Sequence, residues 1–240
     1  MTSINLTIPL YNEELVLSEN VIKILDFLTS SGLDNAFEWQ IILADNASTD
    51  KTAVIAQSLA GQFPKKIQYL YLSQKGRGQA LKKAWQNFPA DFYIYLDADL
   101  ATDLNHLPEM INFLHQGNDI VIGSRLHENS STTRGLKREM ASRFFNFLLK
   151  TLLNFSLKDS QCGFKGINQK VLQEIIPLAR DNNWFFDTEL LFWAQKKGLK
   201  IKELPVLWID AERKSKVTII PTALNYLKNI WRLKKYGKIR

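Results

Sequence analysis

Five short apolar runs, at residues 4–10, 41–44, 67–72, 92–96 and 120–122, punctuate the first 125 residues of the chain. They are mostly unalternating, the pattern of strands covered on both faces. Helical spacing fills the gaps, at residues 12–29 (Val16, Ile22, Leu25), 50–59, 78–88 and 103–115. This alternation predicts an α/β fold with a doubly wound, mostly parallel central sheet. Ligands of such sheets bind beyond the carboxyl ends of the strands, so the residues that follow each run are where a site belongs.

The second half reads differently. A long helix is expected over residues 134–157. Ala141, Phe144, Phe145, Leu148, Leu149, Leu152 and Phe155 form its broad apolar face, and Arg143, Asn146, Lys150 and Asn154 a narrow polar stripe. A loop at 159–165, a helix at 168–178, a loop at 183–187, a helix at 188–197 and a strand near 201–208 follow. From Pro221 the chain reads as an amphipathic helix, with Ala223, Leu224, Leu227, Ile230 and Trp231 opposite Lys228, Arg232 and Lys235.

Charge divides the chain in the same way. Residues 213–240 carry nine of the 31 Lys and Arg and none of the 24 Asp and Glu, which leaves residues 1–212 at −2. A basic amphipathic tail expects an anionic partner, phospholipid or nucleic acid. The single Cys162 excludes an intrachain disulfide and a cysteine-rich metal site, and fits a reducing compartment. Met1 runs into the first strand without a basic region or cleavage signature, so no signal peptide is expected. No stretch of about 18 uncharged apolar residues is present, so no transmembrane helix is expected either.

The strand ends carry the chemistry. Pro9-Leu10-Tyr11-Asn12-Glu13 closes the first run; it can frame a base and ribose, or Asn12 and Glu13 can simply cap the next helix. Asp45 closes the second and can accept a hydrogen bond from a uracil or guanine imide or from ribose, while Asp50 suits a helix cap. In Lys75-Gly76-Arg77-Gly78-Gln79-Ala80 the glycines permit close backbone approach. The cations and the helix N-terminus attract phosphate, although the spacing matches neither a Walker loop nor the dinucleotide fingerprint. Asp97-Ala98-Asp99, an Asp-x-Asp motif, ends the fourth run. Its paired carboxylates suit a hard cation, Mg²⁺ or Mn²⁺, shared with a diphosphate, which would offset charge on a departing nucleoside diphosphate.

Together these residues resemble the inverting glycosyltransferase family 2, with its type A nucleotide-diphosphosugar fold, over residues 4–210. Within it they are most similar to the polyprenyl-phosphate (dolichyl-phosphate) β-glucosyltransferases. The likeness rests on Gly123-Ser124-Arg125, Asp159-Ser160-Gln161-Cys162-Gly163-Phe164-Lys165, Trp184-Phe185-Phe186-Asp187-Thr188-Glu189, and Pro205-Val206-Leu207-Trp208 with Ser215-Lys216-Val217. The resemblance implies a nucleotide-sugar half at 1–125, an acceptor half at 126–212 and an appended basic helix at 213–240. It implies that Pro9, Tyr11, Glu13 and Asp45 contact the nucleoside, that Asp97 and Asp99 work with metal and diphosphate, that Arg125 lies near the phosphates and Arg138 near the acceptor. It favours UDP-glucose as donor. Two departures stand out: many members carry Asp-Gly-Ser where this chain has Asn46-Ala47-Ser48, and mannose-transferring relatives often place Gln, a metal ligand, where this chain has Ala101.

An alcohol acceptor needs a general base; a lipid phosphate, with a second pKa of about 6, does not. Direct displacement by a phosphate oxygen is therefore expected, with Arg125, Lys137 and Arg138 as candidates to hold the acceptor phosphate. Were a base required, Asp187 or Glu189 would supply it. The phenylalanines of the long helix and the C-terminal helix are expected to rest on the cytoplasmic face of a membrane as a peripheral attachment. Two competing readings are a transferase acting on a glycan or small alcohol and a nucleic-acid-binding protein. The tail has no groove-reading motif and the strand-end acids repel phosphate, so no nucleic-acid partner is expected.

Overall fold

The computed structural model describes residues 1–133, 135–209 and 219–237, with the side chains of 136–137, 219–221 and 237 left aside. In chain order the first half comprises β1 (Ser3–Leu10), α1 (Leu17–Ser30), α2 (Leu33–Ala36), β2 (Glu38–Asn46), α3 (Thr52–Gln62), β3 (Ile67–Leu72), α4 (Arg77–Asn87), β4 (Phe92–Leu96), α5 (Leu107–His115) and β5 (Ile120–Ser124). The second half adds β6 (Ser131–Thr133), α6 (Leu136–Leu153), β7 (Phe164–Asn168), α7 (Gln169–Glu174), α8 (Phe186–Lys196), β8 (Ile201–Pro205), β9 (Leu207–Ile209) and α9 (Ile219–Gly237).

Seven strands form the central sheet in the order β3-β2-β1-β4-β7-β5-β8. All neighbours are parallel except β7, which runs antiparallel to both β4 and β5. The expected mostly parallel, doubly wound sheet is therefore present, with one reversed strand inserted. Apolar side chains pack on both faces. Leu6, Ile8, Val21, Leu59 and Met110 belong to one core, and Leu81, Trp85, Leu149, Leu190 and Leu233 to the other. Burial on both sides is why the strands lack alternation.

Four expectations change. The first helix begins only at Leu17, because Asn12 takes a left-handed φ of 54° and the Glu13 carbonyl accepts the amides of Val16 and Leu17. The long helix stops at Leu153, closed by Asn154 in the left-handed region. The helix expected over 168–178 is α7 followed by a 3₁₀ turn, Ile176–Leu178, with Pro177 at its start. The strand near 201–208 divides at Val206 into β8 of the main sheet and β9, which pairs with β6.

The polar stripe assigned to the long helix is also corrected. Asn146 is buried, and its Oδ1 accepts the Ser160 amide at 3.1 Å. The core-facing line runs through Ser142, Asn146, Leu149 and Leu153, while Phe144 and Phe147 point outward, 63% and 60% exposed. A buried hydrogen-bonding asparagine mimics a surface residue in a hydrophobicity pattern.

Candidate active site

The carboxyl ends of β1, β2 and β4 lie side by side, with Leu10 opposite Asp45 and Thr7 opposite Tyr95. Each is followed by a non-glycine residue in the left-handed region: Asn12 (φ 54°), Ala47 (57°) and Leu100 (52°). Such conformations are uncommon and cluster at functional sites. Ala47 holds a φ that glycine adopts freely and alanine seldom takes.

The reversed β7 completes the site. Its antiparallel run brings its first residue, Phe164, opposite Leu96, the last of β4. The Asp97 amide then donates to the Gly163 carbonyl at 3.1 Å. A Cβ at Gly163 would collide with the Asp97 carboxylate, so only glycine leaves room for that acid. β7 is the one strand of the central sheet that the sequence concealed. It is short, holds Gly166 where a Cβ would press on Leu114 and Met110, and carries a fully buried lysine, Lys165.

A chain of alternating charge crosses the site. Lys165 Nζ lies 3.0 Å from Asp187 Oδ1 and donates to Tyr95 Oη and to the Cys162 carbonyl. The Tyr95 hydroxyl in turn donates to Asp187. Arg77 Nε stands 4.0 Å from Asp187 Oδ2, and Arg77 Nη2 2.6 Å from Asp97 Oδ1. The Arg77 guanidinium also faces the rings of Tyr95 and Trp184, at 5.4 and 5.1 Å. Burial opposes its charge, but Asp97 and Asp187 outweigh burial and hold its pKa above the ordinary arginine value. Burial likewise raises the Asp99 pKa, helped by the neighbouring Asp97 charge. A buried acid whose pKa is raised by a neighbouring acid is short of positive charge.

That donor set fits a hard cation shared with a diphosphate. Among the described residues no group of three His, Cys, Asp or Glu side chains could hold a metal alone. One or two carboxylates plus substrate phosphate and water is how Mg²⁺ is usually held.

Other expected residues lie at or just after the ends of β1, β2 and β3. Pro9 is the last residue but one of β1 and Tyr11 follows the strand; the Lys75 ammonium donates to the Tyr11 hydroxyl and lies 4.3 Å from its ring centroid. The Glu13 amide donates to Thr52 Oγ1 at 2.7 Å, and its carboxylate adds to the charge felt by Asp99. Asp45 is fully buried and accepts from the Ser48 amide and the Tyr69 hydroxyl, each at 3.0 Å. Gly76 and Gly78 permit close packing, but against residues 182–186. A Cβ at Gly76 would come within 2.6 Å of the Asn182 carbonyl, and one at Gly78 within 2.5 Å of Phe186. Asn46, in place of the second acid, accepts the Gly76 amide at 2.5 Å and so ties two strand ends together.

Arg125 lies at the end of β5, and two of its three nitrogens are engaged by Asp159, at 2.7 and 2.9 Å. Its backbone amide donates to the same carboxylate, and its guanidinium stacks on Trp208 at 4.9 Å. Arg138 is exposed on the first turn of α6; the Lys137 side chain and Ser215-Lys216-Val217 fall outside the described residues. Glu189, the alternative base, is fully buried in a bidentate pair with Arg232 of α9 at 2.8 and 2.9 Å. Motif reading included Arg77 in the glycine loop but did not select it. The signal was present: a cation between two glycines at a helix start.

Comparison with known sequences settles the family. The family model of Glycosyl transferase family 2 matches residues 6–176. The chain belongs to this family. Among relatives, Glycosyltransferase AglD of Haloferax volcanii is 33% identical over 235 residues, covering 96% of this chain but 37% of that protein. The dolichyl-phosphate beta-glucosyltransferase of Dictyostelium discoideum is 30% identical over 251 residues, 96% of this chain and 77% of the relative. The human enzyme of the same description is 27% identical, covering 98% and 79%. The type A fold is matched by glucosyl-3-phosphoglycerate synthase from Mycobacterium tuberculosis, a structure in complex with Mn²⁺, UDP and phosphoglyceric acid. The TM-score is 0.71 at 17% identity, over 100% of this chain and 80% of that one.

Proposed function

We infer that this family 2 protein moves glucose from UDP-glucose to a polyprenyl phosphate, with inversion and with Mg²⁺ or Mn²⁺. The dolichyl-phosphate glucosyltransferases that align with nearly its whole length support the substrates. The observation that carries the choice of acceptor is the state of Asp187. It is 4% exposed, takes the Tyr95 hydroxyl, and pairs with Lys165. A carboxylate so enclosed, with one oxygen already committed to Tyr95 and Lys165, is poorly placed to take a proton from an incoming alcohol, and a phosphate acceptor, already an anion, needs no base.

The cation would be held by Asp97 and Asp99 and would supply charge stabilisation for the departing diphosphate. The protein's own work is placement. Asp45, Tyr11 and Glu13 line the nucleoside side, Lys75 and Arg77 face the diphosphate, and Arg125, Lys137 and Arg138 attract the acceptor phosphate. Lys165 and Tyr95 hold Asp187 as a fixed anion behind Arg77, which keeps that guanidinium oriented. The test is a donor panel (UDP-glucose, UDP-N-acetylglucosamine, GDP-mannose) with a short polyprenyl phosphate and Mg²⁺ or Mn²⁺. Release of UDP with a glucosyl-phosphoprenol mass is the expected result. Transfer only to glycan or alcohol acceptors sinks the reading.

Peripheral attachment to the cytoplasmic face of a membrane belongs to the same proposal. Among the described residues no helix is long and apolar enough to cross a membrane. Support comes from α6 and α9, which pack together through Phe145 and Tyr226, ring centroids 4.8 Å apart. Met140, Phe144, Phe147, Leu224, Leu227 and Trp231 on these helices are 45–70% exposed, and Lys150, Lys228 and Lys235 are exposed beside them. Apolar side chains entering the interface and lysines near anionic headgroups each add roughly 1 kcal/mol or more. The triple variant Phe144→Ser, Phe147→Ser, Trp231→Ser is expected to bind anionic phospholipid vesicles at least about tenfold more weakly than the parent, at unchanged thermal stability. Equal binding in a flotation assay removes the membrane part of the reading.

A further inference from the structure

Arg77 stands against the acid pair with its own positive charge. Its Nη2 is 2.6 Å from Asp97 Oδ1, yet Nη2 and Nε are both buried without an aligned hydrogen-bond acceptor. The contact with Asp97 is one of charge, not of hydrogen-bond geometry. The side chain is only 11% exposed, and the rings of Tyr95 and Trp184 flank it. A buried guanidinium whose donors lack aligned acceptors is poorly satisfied. Its planar fork matches phosphate oxygens better than the single off-line carboxylate it now meets.

Asp97 is thereby subject to two demands. It is one of two acids able to hold a divalent cation, and it is also the counter-charge of Arg77. Asp187, the other carboxylate that forms an ion pair with that guanidinium among the described residues, is shared with Lys165. A cation approaching Asp97 in the absence of donor must displace Arg77 and leave a buried positive charge with one distant, shared partner, which is costly. A diphosphate removes the conflict, because its oxygens satisfy the Arg77 fork while Asp97 turns to the metal.

We propose that Arg77 is an internal counter-cation that occupies Asp97 until a nucleoside diphosphate arrives, so that the metal binds with the donor and not before it. The inference rests on the reading of Asp97 and Asp99 as the metal-holding pair. It makes Arg77 a positioning residue with an opposing effect on the metal: its removal improves metal binding by the free protein while harming transfer. Coupling between two ligands is reciprocal, so the same residue sets how strongly metal tightens donor binding.

The experiment measures Mn²⁺ binding by electron paramagnetic resonance of the unbound ion. It uses the full chain, with and without UDP, in the parent, Arg77→Gln and Asp187→Asn. Without UDP, Arg77→Gln is expected to bind Mn²⁺ at least about tenfold more tightly than the parent. Asp187→Asn leaves Arg77 to Asp97 alone and is expected to bind it more weakly than the parent. UDP is expected to tighten Mn²⁺ binding by up to about a hundredfold in the parent, within the usual span of coupling between sites, and by several-fold less in Arg77→Gln. A merely structural arginine would not move the two variants in opposite directions. Should Arg77→Gln fail to fold, the direction of change in Asp187→Asn decides by itself. Equal Mn²⁺ affinity in all three proteins, with binding still seen in the presence of UDP, overturns the role of Arg77. No Mn²⁺ binding by the parent even with UDP overturns the metal reading and this inference with it.

Discussion

Asp97→Asn and Asp99→Asn are each expected to lower glucosyl transfer by about three orders of magnitude, the several kcal/mol that a metal contributes to a departing diphosphate. Release of UDP in the presence of polyprenyl phosphate measures it. Activity within a few-fold of parent in both variants ends the metal proposal. The pH dependence has a defined sign. Burial and the Asp97 charge raise the Asp99 pKa above its ordinary 3.8. Metal binding measured with UDP present is therefore expected to weaken on acidification before that value is reached, since only the carboxylate binds the cation. In Asp99→Asn this limb disappears.

The second large effect is on stability. Asp159 is fully buried and receives three hydrogen bonds from Arg125, two from the guanidinium and one from the amide. Asp159→Ala leaves a buried guanidinium without its partner, and is expected to cost about 3–5 kcal/mol. For a chain of this size that lowers the melting temperature by roughly 10 °C. The double variant Arg125→Met, Asp159→Leu is expected to recover much of the loss, because a buried pair replaced by apolar groups is often neutral. Burial opposes the Asp159 charge, but Arg125 and the amides outweigh it and bring its pKa down to about 2. Its contribution is therefore fully present above the ordinary 3.8 and is lost as pH falls through 2. A thermal melt of Asp159→Ala as stable as the parent at pH 7 removes this account.

The pair also matters for the acceptor. Arg125 was expected to grip phosphate, yet Asp159 engages two of its nitrogens and Trp208 covers one face. The same carboxylate accepts the Gln161 amide, and Gln161 Nε2 donates to the Tyr226 hydroxyl of α9 at 2.9 Å. The loop that ends in Gly163 is therefore held at one side by Arg125 and at the other by the C-terminal helix. α9 is thereby tied to the loop before β7 through Tyr226 and to α8 through the Arg232–Glu189 pair.

Much of the site was legible because parallel α/β sheets concentrate it in short linear motifs. Asp45 lies at the end of a strand, Asp97 and the glycine loop each follow one, and a strand covered on both faces declares itself by an unbroken apolar run. Glu189 shows where linear reading fails. An acid in the first turn of a helix resembles a cap or a base, and only its distance to Arg232, 43 residues away in sequence, reveals a structural ion pair. Gly76 and Gly78 resemble a phosphate cradle, and only the tertiary structure shows that a Cβ at either would also press on residues 182–186. Lys165 interrupts the hydrophobic pattern of β7 because its partners, Tyr95 and Asp187, come from elsewhere in the chain.

Local sequence alone determined the strand order of chemistry along the first half, the acid pair, and the family, because apolar periodicity and strand-end motifs are properties of neighbours in the chain. Tertiary structure decided the reversal of β7, the enclosure of Asp187 by Lys165 and Tyr95, and the hold of Arg77 on Asp97. Those depend on which charges meet in a desolvated space, where a contact between distant residues decides whether a group is a ligand, a base or a counter-ion.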